Sequence, residues 1–186
     1  MFDPPDGRFT EDWFSELVRG HSRRVFALLY RMVGNAGDAQ DLSQEVFLKA
    51  WQNRRQLHDA ERPTPWLLRI ASNSAIDFQR SRASQRPGSP MVPSLDDENQ
   101  SGLRDRLTSP DLTPEASALR DERHGRLWAA LGVLSPKERA AVVMRDIEGV
   151  PNREVAAALG CSMITVRTHI SSARTKMRKF LSRGKK

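Results

Sequence analysis

Apolar positions along the chain fall into two helically spaced blocks on either side of an unpatterned middle. In the first block, Phe14, Leu17 and Val18 lead into Val25, Phe26, Leu28, Leu29, Met32 and Val33. The 25/28/29/32 spacing is that of one helix face. Gly34-Asn35-Ala36-Gly37 breaks the pattern, and Asp38 stands where an N-cap belongs. Leu42, Val46, Phe47, Ala50 and Trp51 follow on a second helical face. A polar stretch around 57–62 comes next, and Pro63 and Pro65 read as breakers. Trp66, Leu67, Ile70, Ala71, Ser74 and Phe78 predict a further helix, with Arg80, Arg82 and Arg86 placed favourably for its dipole.

Residues 83–113 contain Pro87, Pro90, Pro93 and Pro110, several serines and glycines, and the acidic run Asp96-Asp97-Glu98. So few apolar side chains cannot offset the entropy of ordering, which predicts a flexible tether with at most a helical piece near Leu103–Leu107. A second patterned block begins near Glu115. Leu127, Ala130, Leu131 and Leu134 form a stripe. Ser135-Pro136-Lys137-Glu138 then has the form of a capping box with proline at the first helical position. That helix is expected to carry Ala141, Val142, Met144, Arg145 and Ile147 and to stop at Gly149-Val150-Pro151. A short helix over Arg153–Leu159 ends at Gly160, and Ser162 caps a last helix from Met163 to about Leu181. No strand-like alternation is present. The expected fold is all-α: two small helical domains, 1–82 and 115–186, joined by an acidic linker over 83–114.

Charge sharpens this division. The 186 residues carry 30 Lys+Arg against 23 Asp+Glu, net +7, with a pI near 10.3. Residues 1–90 hold 13 basic and 11 acidic side chains, residues 91–122 hold 3 and 8, and residues 127–186 hold 12 and 4. A basic carboxy-terminal block points to a polyanion, most often nucleic acid. The single cysteine, Cys161, excludes an internal disulfide or a cysteine-based zinc site and fits a reducing compartment. No apolar stretch approaches the roughly 20 residues of a membrane span, and the acidic amino-terminal run lacks the apolar core of a secretory signal. A cytoplasmic protein with no membrane insertion, metal or cofactor is expected.

The strongest motif runs from Glu154 to His169 and reads as a helix-turn-helix. Ala156 or Ala157 allows close crossing, Gly160 allows a left-handed turn, and Val155, Leu159, Val166 and Ile170 fill the core between the helices. An arginine near the start of the second helix can donate two bonds to a guanine edge. The basic residues from Arg174 onward suit phosphates. Blander readings stand beside these: Cys161 as a small buried filler, His169 as a surface residue, Trp51 and Trp66 as core anchors, and the acidic run as a solvated linker.

The first block narrows the choice among DNA-binding proteins. The run DLSQEVFLKAW over Asp41–Trp51, then PWLLRIASN over Pro65–Asn73, with Asp77 and Arg80, resembles region 2 of bacterial sigma factors. Ser135 through Arg174, opening SPKERA, resembles region 4. Both regions within 200 residues, with no region 3 between, resemble the extracytoplasmic-function (group IV) sigma factors. The resemblance implies a protein that is no enzyme, binds core RNA polymerase, directs it to a promoter and assists opening. It implies that Asp41, Gln44, Glu45 and Lys49 dock on the polymerase clamp coiled coil. It implies that Asn73 contacts a flipped −10 base, with Arg69, Arg80 and Arg82 on phosphates, and that Arg167, Thr168, Ser171, Ser172 and Arg174 meet the −35 major groove. Region 4 is also expected to touch the polymerase flap, and an anti-sigma partner is expected. The chain departs from the family pattern at Ser171 and Ser172, where a large aromatic and an arginine are common, and at Pro151 and Ile164, where serine and glycine are usual.

Two other classes compete. A response-regulator-like DNA binder would need an α/β receiver domain, and the first block shows neither strands nor an acidic pocket. A small recombinase-like enzyme would need a nucleophile with its partners, and no such cluster stands out.

Overall fold

The computed structural model describes residues 11–58, 63–85 and 125–183. Residues 83–85, predicted to open the tether, instead close the helix that begins at Pro63; the rest of the predicted tether, the piece near Leu103–Leu107 and the start of the second block near Glu115 lie outside the described residues. Among the described residues the secondary structure is entirely helical.

The first unit is built on two long helices, α1 (Glu11–Val33) and α4 (Pro63–Gln85), with α2 (Ala36–Gln52) packed against both. The apolar stripe read from the sequence is the buried one: Val25, Leu28, Leu29 and Met32 on α1 meet Leu42, Val46 and Ala50 on α2, and Leu67, Ala71 and Ala75 on α4. The break between α1 and α2 takes only two residues, Gly34 at φ +77° and Asn35. Asn35, not Asp38, is the N-cap, because its side chain accepts from the Asp38 amide at 3.0 Å. Asp38 lies in the first turn, where its charge still suits the dipole. Pro63 and Pro65 do not break a helix but open one. The first four amides of a helix have no partner inside it, so proline there forfeits nothing. Arg54–His58, within the expected polar stretch, is a short helix (α3) that buries Leu57.

The second unit begins with residues 125–132 (α5). Ser135 then caps α6 (Pro136–Val142) in a complete capping box. The Glu138 amide donates to the Ser135 hydroxyl at 3.3 Å, and the Ser135 amide donates to the Glu138 carboxylate at 2.9 Å. The helix continues as a π turn over Val143–Ile147, which spacing alone did not anticipate. Gly149 at φ +70° releases the chain into α7 (Asn152–Leu159). Gly160, left-handed at φ +60° and ψ +42°, turns it toward α8 (Met163–Arg183), and the Thr165 amide donates to the Ser162 hydroxyl at 3.1 Å. The helix-turn-helix is α7–Gly160–α8, with Val155, Leu159, Val166 and Ile170 buried between its helices.

The two units pack together, with α4 against α6 and α7 and α1 against the π turn. Tyr30 meets Trp128 edge to face at 4.7 Å. Glu148 is held by both Arg24, Nε at 2.8 Å, and Arg31, Nη1 at 2.9 Å. Arg139, only 2 % exposed, donates to Met32 O at 2.6 Å and Leu131 O at 2.9 Å, and Gln79 also donates to Met32 O. Met32 lies in the last turn of α1, where carbonyls lack helical partners, so the guanidinium completes the end of that helix and favours its dipole. Burial lowers the Arg139 pKa to about 10, which leaves it cationic at neutral pH.

Candidate polymerase and nucleic-acid interfaces

Three of the solvent-exposed helix faces carry the predicted site residues, and each has its own chemistry. On α2, burial of Leu42, Val46 and Ala50 forces Asp41, Gln44 and Glu45 outward. At about 100° per residue these three and Leu48 fall within roughly 100° of arc. Leu48 is 57 % exposed at the centre of this acidic face, a position the sequence reading passed over. Lys49 stands at its edge, 2.7 Å from Glu45 and 3.2 Å from the Ser74 hydroxyl of α4.

On α4, Arg69, Asn73, Asp77 and Arg80 are all exposed and lie within roughly 80° of arc. Arg80 is 3.8 Å from Asp77, a loose pairing that leaves its guanidinium accessible. Among the described residues neither hydrogen bond nor ion pair ties down the Asn73 side chain, so both its donor and acceptor groups are available. Arg82 is not brought to this stripe. It lies about 180° around the helix and pairs with Asp38 at 3.0 Å. Trp66, partly buried, packs against the core, and Trp51 meets Phe14 at 5.0 Å with Arg54 over its ring.

On α8, Arg167, Thr168 and Ser171 share an exposed face with Thr175, again within roughly 100° of arc. Thr175 was missed, although it follows Ser171 and Thr168 at helical spacing. Pro151 gives α7 no side-chain cap, and Ile164 is 75 % exposed beside this face. The other two predicted readers point to the edges and are engaged there. Ser172 donates to Glu138 at 2.6 Å, and Arg174 makes a bidentate pair with Asp146 at 2.7 and 3.0 Å, which raises its pKa further. Arg145, Arg167 and Arg178, with Ser171 and Thr175, line one polar cleft beside this face. An apolar groove of about 810 Å³ opens on the other side of Arg174, walled by Leu127, Leu131, Val142, Ile147, Met177 and Leu181.

The blander expectations divide. Cys161 packs half-buried against the core, and His169 is half-buried rather than fully exposed. Among the described residues no group of three or more metal-ligating side chains occurs, and no helix is long and apolar enough to cross a membrane.

Comparison with known proteins agrees with this division. Residues 17–85 match the family profile of sigma-70 region 2, and residues 124–177 match that of sigma-70 region 4. The chain is 36% identical over 184 residues to the ECF RNA polymerase sigma factor SigE of Mycolicibacterium smegmatis, covering 98% of this chain and 67% of that protein. It is 31% identical to the RNA polymerase sigma-H factor of Pseudomonas aeruginosa, covering 90% and 86%. It is also 31% identical to the ECF RNA polymerase sigma-E factor of Escherichia coli, covering 87% and 82%. In fold it resembles the sigma factor RpoE of Bartonella quintana, solved in complex with the anti-sigma factor NepR, with a TM-score of 0.64 at 21% identity over 93% of this chain and 98% of that one. With a region 2 bundle and a region 4 helix-turn-helix in that order, the chain belongs to the sigma-70 family as an extracytoplasmic-function RNA polymerase sigma factor, a factor for promoter-specific transcription initiation.

Proposed function

We propose that the three open faces divide the work of initiation. The α2 face, acidic around an exposed leucine, docks on the clamp coiled coil of core RNA polymerase through Asp41, Gln44, Glu45, Leu48 and Lys49. The α4 stripe reads the melted −10 strand: extruding a base costs a few kcal/mol of stacking and pairing, and Asn73 returns part of it through its amide while Arg69 and Arg80 hold phosphates. The face of α8 enters the −35 major groove through Arg167, Thr168 and Ser171. The apolar groove beside Leu127 receives the flap. On this reading residues 1–82 carry polymerase binding and opening, 83–114 connect, and 115–186 carry −35 recognition. The site of action is the cytoplasm.

The observation that carries the reading is that Asn73 stands exposed and unpaired midway along a stripe flanked by Arg69 and Arg80, on the same bundle as the α2 docking face. A buried or ion-paired side chain there would have served packing alone.

The packed arrangement of the two units bears on control. Promoter elements centred near −10 and −35 lie about 25 base pairs apart, or about 85 Å at 3.4 Å each. Arg24 and Arg31 lie within 3 Å of Glu148 across the seam. Reading both elements at once therefore requires the seam to part. RpoE of Bartonella quintana is solved with the anti-sigma factor NepR, and CnrH with the cytosolic domain of CnrY. We infer a similar partner here, one that keeps the units together. Purified chain added to core polymerase is expected to start transcription at a defined promoter, and failure to bind core polymerase refutes the reading.

A further inference from the structure

The recognition helix α8 is gripped from beneath by a carboxylate that belongs to the capping box. Glu138 exposes only 8 % of its side chain, and both its oxygens are occupied. One accepts from the Ser135 amide at 2.9 Å and from the Lys176 ammonium at 2.8 Å. The other accepts from the Ser172 hydroxyl at 2.6 Å and again from Lys176 at 2.8 Å. These are charge-assisted bonds, the strong class. A serine hydroxyl has one proton to give, so Ser172, having given it to Glu138, has none for the N7 or O6 of a guanine. Lys176, already neutralised, gains little by meeting a phosphate.

We propose that Glu138 is a positioning residue that sets −35 specificity by withdrawing Ser172 and Lys176 from the DNA, leaving Arg167 and Ser171 as the side-chain donors to the bases, while Thr168 and Thr175, whose hydroxyls donate to Ile164 O and Ser171 O, present their methyl groups. This rests on the reading that α8 enters the major groove. Position 172 then contributes no base preference. The carboxylate stands where a DNA phosphate would otherwise stand for Lys176. Asp146 does the same for Arg174 along the opposite edge of the helix, at 2.7 Å, so the reading face is bounded on both sides by the protein's own acids.

The test compares holoenzymes carrying the full chain, on promoter duplexes randomised across the −35 element and over a range of salt. Glu138→Gln keeps a side chain able to close the capping box while removing the charge that holds Lys176. It is expected to steepen the salt dependence by about one phosphate contact, an extra loss of about 3.5-fold in affinity between 50 and 200 mM salt. Ser172→Ala, which leaves the capping box whole, is expected to leave the base preference unchanged at every position. Two results overturn the proposal: a Ser172→Ala profile that loses preference at one base pair, or a Glu138→Gln salt slope equal to that of the unmodified protein. Arg167→Ala separates this from the underlying reading. If it alters no base preference, major-groove reading by α8 fails, whereas the two results above overturn the role of Glu138 with that reading intact.

Discussion

The amino-terminal and carboxy-terminal units solve the same problem, holding a helix face open for a partner, in different ways. In the first, α1 and α4 each run 23 residues and α2 runs 17. Apolar burial along such lengths is enough to fix the bundle, so α2 and α4 leave whole polar faces almost unengaged. In the second, α6 has 7 residues before its π turn and α7 has 8, and both pack their apolar residues against the 21-residue α8. Polar devices supplement that core: the Ser135–Glu138 capping box, left-handed Gly160, Arg139 across two helix ends, and Glu138 and Asp146 along α8. The cost is that side chains of α8 itself are drawn into holding the fold. In the first unit the exposed faces stay separate from the buried ones, and in the second the edges of the exposed face also hold the fold.

This difference can be broken at either end. Leu28→Ala, at a site with no exposure, should cost about 3–5 kcal/mol in urea unfolding of the intact chain. A loss under about 1 kcal/mol would mean that the first unit is not held by its apolar core. The second unit should instead answer to acid. Burial alone would raise the Glu138 pKa, but bonds from Lys176, Ser172 and Ser135 outweigh it and bring the carboxyl from 4.5 to about 2. Because the folded value is the lower one, the stabilisation is present above about pH 4.5 and disappears as pH falls toward 2. It is worth about 2–3 kcal/mol, and the stability of Glu138→Gln should decline by about that much less across that window than the unmodified protein's, the remaining carboxylates titrating in both. Gly160→Ala forces a side chain into the left-handed region and should cost about 1–2 kcal/mol, read by thermal melting. The seam should matter least. Arg24 and Arg31 remain partly solvated, so Glu148→Gln is expected to cost about 0.5–1 kcal/mol, seen as melting of the two units at separate temperatures.

Which parts were legible in the sequence follows the same division. The stripe Val25, Leu28, Leu29 and Met32, the capping box and the glycine turn are local patterns, and each stands where its pattern placed it. Pro63 and Pro65 misled because a proline that stops one helix is equally able to start the next. Asn35 displaced Asp38 as the cap because Gly34 takes positive φ and ends the break two residues earlier. The faces of α2 and α4 were readable from which neighbours had to be buried, and exposed Leu48 could have been found the same way. The engagement of Ser172, Lys176, Arg174, Arg82 and Arg139 was not readable. Apart from the Arg139–Leu131 bond, their partners are 28 to 107 residues away, and no local spacing encodes such pairings.

The central claim is that separate faces of one chain bind polymerase and open the promoter. Its most direct measurement is single-strand-selective oxidation of −10 thymines in holoenzyme–promoter complexes made with Asn73→Ala, alongside core polymerase affinity for the same variant. The account predicts unchanged core affinity with −10 reactivity reduced about tenfold, as loss of a base contact worth about 1–3 kcal/mol implies. Core affinity and −10 reactivity falling together would contradict it, because Asn73 would then be holding the bundle rather than reading DNA.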